Sequence, residues 1–156
     1  MERPNKHNYY LDICDSVLTR STCLRRKFGA VIVNNDEIVS TGYNGAPHGT
    51  KNCCDTGHCE RDLRKIPSGQ NYELCRAIHA EQNAIISAGR KLCEGATLYL
   101  SGIDAKTNEY IGNNIDCCIM CKRFVVNSGI KTVIMRMSKT SYREIDVKYW
   151  LSLDNI

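Results

Sequence analysis

The sequence predicts an α/β sandwich on three observations: two β-rich runs joined by a tight-turn triplet, apolar residues at helical spacing in separate segments, and the resulting element order β-β-α-β-α-β. The first helix covers residues 7–19, where Tyr10, Ile13, Cys14, Val17 and Leu18 share one face. Residues 28–33 and 37–43 read as strands. Asn34, Asn35 and Asp36 lie between them, residue types that tolerate a tight turn, so the pair forms a hairpin.

From residue 44 to 71 the periodicity dissolves into Gly, Pro, Asn, Asp and Cys. A loop this long in a compact domain has a function or an internal staple, and Cys53, Cys54 and Cys59 suggest the staple. The second helix runs from about residue 75 to 90, where Ala80, Ala84, Ile85 and Ala88 allow close packing on a sheet. Residues 97–101 form a short strand. Residues 102–114 make a hairpin-like excursion turning near Lys106, Thr107 and Asn108. A third helix spans 118–128 and stops at Gly129, and residues 131–137 are the next strand. Residues 142–156 read as a terminal helix or an oligomer contact. The 156 residues are expected to form a single domain, 1–156, with a cysteine-rich insertion at about 44–75.

Hydrophobic residues make up 42% and charged residues 24%, globular proportions without an apolar run of membrane-spanning length. Residues 1–6 are polar, so no secretory signal is expected and the chain is read as cytoplasmic. The net charge of +4 is too mild for the extended basic surface that a nucleic-acid substrate demands. Its densest part, Arg25-Arg26-Lys27, reads either as a solvated helix end or as a phosphate contact. In a reducing compartment the ten cysteines favour metal ligation or catalysis over a disulfide framework.

Two segments carry the chemistry. His79-Ala80-Glu81 lies near the start of the second helix, and Cys118-Ile119-Met120-Cys121 opens the third. Cysteines three apart on one turn converge on a metal, and a histidine from a neighbouring helix supplies a third donor. Three ligands leave one tetrahedral position for water. Two thiolates and a neutral imidazole cancel the charge of Zn²⁺, which brings the pKa of a bound water down to about 7. Glu81 is free to accept that water's proton. Alone, a Cys-x-x-Cys also reads as a redox pair; with the ordered His-x-Glu it does not.

Those residues resemble the zinc nucleobase deaminase signature. Gly42-Tyr43-Asn44-Gly45-Ala46-Pro47, Cys75-Arg76-Ala77-Ile78-His79-Ala80-Glu81-Gln82-Asn83-Ala84-Ile85 and Asn127-Ser128-Gly129-Ile130 make the likeness more specific: in order, over roughly residues 8–137, they resemble the deoxycytidylate deaminases of the cytidine and deoxycytidylate deaminase superfamily. The resemblance implies a three-layer α-β-α cytidine-deaminase-like sandwich with a central mixed sheet. It implies hydrolytic deamination of dCMP to dUMP and ammonia, with His79, Cys118 and Cys121 as zinc ligands, Glu81 as acid and base, and Asn44, Ala80 and Arg26 as substrate contacts. It also implies a second, structural zinc, best matched by Cys23, Cys53, Cys59 and Cys75, with Cys54 or His58 able to replace one member. A homo-oligomer, hexameric in form, and dCTP and dTTP as effectors are further implications. Two departures stand out: Asp116-Cys117 occupies the place of the family's proline, and residues 102–114 are extra. Deamination of another cytidine derivative or an RNA base, and a noncatalytic zinc-binding nucleotide sensor, are the rival readings. A closed structural site would need no Glu81, which favours the enzyme.

Overall fold

The first helix, α1 (Lys6–Leu18), starts where Asn5 caps it, its side chain accepting the Asn8 N–H at 2.8 Å. The computed structural model describes residues 2–153 and 156. Strands β1 (Arg26–Asn34) and β2 (Glu37–Tyr43) pair antiparallel around Asn35 and Asp36, which both take positive φ, 50° and 65°. That is the two-residue turn whose twist matches the strands. The hairpin read from the sequence is therefore present, its first strand extended by two residues at the start and one at the end.

Helix α2 (Cys53–Thr56) and helix α3 (Glu60–Leu63) are single turns inside the long insertion. Helix α4 (Ala80–Cys93) begins at residue 80, later than the sequence reading of about 75. The reason is local: Tyr72–Leu74 is a 3₁₀ turn, Cys75 is extended, and Ile78 exchanges two backbone hydrogen bonds with Gly45. The chain then continues through β3 (Thr97–Asp104), α5 (Ile119–Ser128) and β4 (Thr132–Arg136).

The C-terminal reading needs correction. Residues 142–146 are not helix but an edge strand, β5 (Tyr142–Asp146), antiparallel to β4. Only after it does a short helix, α6 (Val147–Leu151), form, capped by Asp146. The strand was hard to see because its burial does not alternate cleanly. Residues 154–155 lie outside the described residues.

The sheet order is β2-β1-β3-β4-β5, with β3 and β4 parallel and the other neighbours antiparallel. Its pleat divides two cores. Val31, Val33, Tyr99 and Ile134 face α1 with Leu11 and Cys14, whereas Ala30, Ile32, Leu98, Leu100, Val133 and Met135 face α4 and α5. The molecule is thus the three-layer α-β-α sandwich with a mixed central sheet that the resemblance implied.

One glycine places the functional layer. A Cβ on Gly42 would stand 2.3 Å from the Ala80 carbonyl oxygen and 2.4 Å from the Ala84 nitrogen. The first turns of α4 therefore lie directly on β2, and Ala80 and Ala84 are fully buried there. Among the described residues no helix is long and apolar enough to cross a membrane.

Candidate active site

Several independent bonds fix the start of α4. The Ser40 hydroxyl donates to the Ala84 carbonyl at 2.7 Å, the Asn83 amide donates to the Tyr43 carbonyl at 2.8 Å, and the His79 N–H donates to Gln82 Oε1 at 3.0 Å. His79 thus sits at the helix cap, with Glu81 two residues on and buried. Cys118 occupies the same cap position on α5, and its sulfur accepts the Cys121 N–H at 3.4 Å. Two helix N-termini, whose partial positive charge favours thiolates, converge on one point.

There His79 Nδ1 lies 3.2 Å from the Cys121 sulfur and 3.4 Å from the Cys118 sulfur. The three donor atoms lie within 4.8 Å of one another, and they are the one such group among the described residues. Tetrahedral zinc bonds of ordinary length set a nitrogen and a sulfur roughly 3.6 Å apart, so the triangle fits the ion with little adjustment. The donor set, one imidazole and two sulfurs, is also that of an open zinc site.

The charges agree. Contact with Cys121 pulls the Cys118 thiol down to about 4, assisted by His79, while sharing that contact and burial push Cys121 far up. Burial pulls His79 down, but the neighbouring Cys118 thiolate and Glu81 outweigh it and leave it raised. Burial pushes the Glu81 carboxyl above the usual range, opposed by His79. A carboxyl raised in this way holds a proton more readily than an exposed one, as a group that both takes up and returns protons must.

A cavity of about 290 Å³ opens on these groups. Its wall includes Phe28, Asn44, Ala80, Tyr72, Asn114 and Cys117, with Arg25, Arg26 and Arg61 contributing cations. Ala80 is wholly buried and Arg26 is exposed, on the first residue of β1. The Asn44 side chain is committed within the protein: its oxygen accepts from the Ser21 hydroxyl at 2.6 Å and the Phe28 N–H at 2.8 Å, and its nitrogen donates to the Arg26 carbonyl at 2.9 Å. Its immediate work is to fix the start of β1 beside the cavity.

Cys117 stands outside the three-donor group. Buried, it turns its thiol toward the Glu81 carboxylate, and burial followed by that negative charge holds it protonated. Cys23, Cys59 and Cys75 line the cavity beside the catalytic group, and Cys53 lies close enough to all three to feel their charge. No three of these four bring their sulfurs within 4.8 Å of one another. Cys54 is exposed against Asp55, and His58 is engaged with Thr56 and Glu60. Of the arginines beside these thiols, Arg25 pairs with Asp62 at 3.1 Å and Arg61 donates to loop carbonyls.

Sequence reasoning overlooked Tyr72 and Lys122, the partner of Asp116. Tyr72 was detectable as the lone aromatic in the later part of an insertion otherwise poor in large apolar groups. Lys122, one of many surface-type lysines, carried no such signal.

The comparisons with known proteins agree with this geometry. The family model described as the cytidine and deoxycytidylate deaminase zinc-binding region matches residues 4–137. A deoxycytidylate deaminase of Mycobacterium phage D29 is 34% identical over 139 residues, covering 86% of this chain and 96% of that protein. The Schizosaccharomyces pombe deoxycytidylate deaminase is 31% identical over 142 residues, which is 87% of this chain but 38% of the longer yeast protein. In fold, the chain is similar to apo dCMP deaminase from cyanophage S-TIM5, with a TM-score of 0.59, 24% identity and coverage of 86% and 85% of the two chains. It is similar also to cytidine deaminase from Burkholderia pseudomallei, with a TM-score of 0.62, 17% identity and coverage of 97% and 99%. The chain belongs to the cytidine and deoxycytidylate deaminase zinc-binding family.

Proposed function

We propose that this chain is a zinc-dependent hydrolase that converts dCMP and water to dUMP and ammonia. The observation that carries the proposal is the convergence of His79, Cys118 and Cys121 beside the buried Glu81 in one cavity. A relative named deoxycytidylate deaminase that this chain matches over 96% of its length supports the choice of substrate.

His79, Cys118 and Cys121 would hold the zinc, which when bound supplies Lewis-acid activation of water. Glu81 takes one proton from the water and gives it to ring nitrogen N3, then takes the second from the hydroxyl now on C4 and delivers it to the departing amine, leaving the C4 carbonyl and N3–H of dUMP. Its burial suits both roles, since it raises the carboxyl and so makes the protonated form easier to reach. Ala80 and Phe28 shape the wall on which a pyrimidine ring would lie, and Asn44 holds that wall in place. Arg26, exposed at the cavity, is the proposed partner of the substrate phosphate.

A structural zinc on Cys23, Cys53, Cys59 and Cys75 is part of the same proposal, supported by the nearness of Cys23 to the three thiols of the insertion. Metal analysis decides it: two zinc ions per chain are expected, and one that vanishes with Cys118→Ala refutes the second site. A homo-oligomer, regulation by dCTP and dTTP and a cytoplasmic location complete the reading.

Ammonia release from dCMP, CMP, deoxycytidine, cytidine and dCTP tests the activity. Turnover of dCMP above the others is expected. Turnover of deoxycytidine without dCMP overturns the nucleotide assignment, and no ammonia from any of the five by zinc-loaded protein overturns the enzyme reading.

A further inference from the structure

His79 gives Nδ1 to the two sulfurs, and among the described residues no protein group hydrogen-bonds its other ring nitrogen. A ligating histidine ordinarily has its ring orientation fixed by a hydrogen bond from that second nitrogen. What meets the ring instead is Tyr72, edge to face, with centroids 5.3 Å apart and planes at 81°.

Tyr72 is itself held. The Arg61 guanidinium lies 4.9 Å from its ring centroid, and Arg61 is only 4% exposed. That buried cation is fixed by three carbonyls, Gln70 at 2.5 Å, Asn71 at 2.9 Å and Pro67 at 2.8 Å, all in the short stretch leading into Tyr72. A planar fork locked at this many points gives the tyrosine little freedom.

We propose that Tyr72, clamped by Arg61, is a positioning residue that sets the rotation of His79 so that Nδ1 faces Cys118 and Cys121. The inference rests on His79 being a metal ligand. It gives the cysteine-rich insertion a role at the reaction centre: the loop between β2 and α4 carries the clamp, so ordering of the insertion and geometry of the catalytic donors rise and fall together. The aromatic contact substitutes for the missing hydrogen bond, at the comparable cost of a residue that must be kept in place.

The test uses full-length protein loaded with zinc or with Co²⁺, comparing wild type, Tyr72→Phe, Tyr72→Leu and His79→Ala. Zinc affinity is read by chelator competition and ligand geometry by the visible absorption of bound Co²⁺. Tyr72→Phe keeps the ring and is expected to keep both readouts. Tyr72→Leu is expected to bind zinc about tenfold more weakly, the lower end of what losing a ligand's supporting partner costs, and to shift the Co²⁺ bands. Wild-type affinity and bands in Tyr72→Leu overturn the proposal. Unchanged bands in His79→Ala overturn the ligand assignment instead, a separate result. Should Tyr72→Leu fail to fold, Tyr72→Met fills the space with a flexible chain lacking a ring, and the same comparison decides.

Discussion

Lys122 sets its ammonium 2.8 Å from the Asp116 carboxylate, and the other oxygen of Asp116 accepts the Cys117 N–H at 2.9 Å. The same ammonium lies 5.4 Å from the ring centroid of Trp150, a buried residue of α6. The segment that delivers Cys118 to the site is thus tethered to the C-terminal helix. A freely rotating backbone stands where a proline would be stiff, and the tether restrains it.

Asp116→Ala should therefore loosen the cysteine turn without touching a ligand. Loss of one hydrogen bond of about 1 kcal/mol corresponds to roughly fivefold in zinc affinity. Lys122→Met should act in the same direction but less, because Asp116 is about half exposed and such an ion pair is worth ~0.2–1 kcal/mol. Chelator competition measures both. Equal affinity in all three proteins would show the tether to be irrelevant to the metal.

Glu81→Gln keeps the size of the side chain and removes its ability to carry a proton. The variant is expected to retain catalytic zinc and to lose ~10²–10⁴-fold in kcat, the usual worth of a positioned proton carrier. In the wild type, burial raises the Glu81 carboxyl, so the acid limb of its rate profile should lie above the ordinary carboxylate range. Unchanged turnover in Glu81→Gln would remove this residue from the reaction.

Gly42→Ala tests how the site is seated on the sheet. The added Cβ would fall 2.3 Å from a backbone oxygen and 2.4 Å from a backbone nitrogen of α4, neither of which can move without shifting His79 and Glu81. Overpacking of this kind costs about 3 kcal/mol. Thermal melting should show that loss together with a fall in kcat; a variant as stable as wild type would mean that α4 can slide.

Local signals explain what was readable in the sequence. The hairpin was legible because Asn35 and Asp36 announce a turn, and α5 because Cys118 opens it and Gly129, at φ 85°, closes it. The grouping of His79, Cys118 and Cys121 was legible because its spacing is that of metal donors. Hidden from the sequence were features made by distant packing: β5, an edge strand defined by its partner β4; the commitment of Asn44 to Ser21, Arg26 and Phe28; and the stack of Arg61, Tyr72 and His79. Each depends on residues brought together only by the fold.

On the face of the sheet away from the cavity, α1 buries tyrosines whose ionisation should limit stability in alkali. Burial, then the neighbouring Asp36, raises Tyr10 from 10.0 to about 12; burial, then Asp15, raises Tyr110 to about 12; burial raises Tyr99 further. In each case the folded state favours the neutral phenol, so the unfolded chain loses its proton first. The contribution is fully present below pH 10 and is lost as pH rises from 10 through about 12. Spectrophotometric titration should show Tyr10, Tyr99 and Tyr110 ionising only above pH 10, together with loss of tertiary structure. Ionisation of all eight tyrosines near pH 10 with the fold intact would contradict this. Tyr99→Phe removes one ionisable group from beneath α1 while keeping its ring, and should shift alkaline unfolding to higher pH, at the expense of the 3.0 Å bond between the Tyr99 hydroxyl and His7.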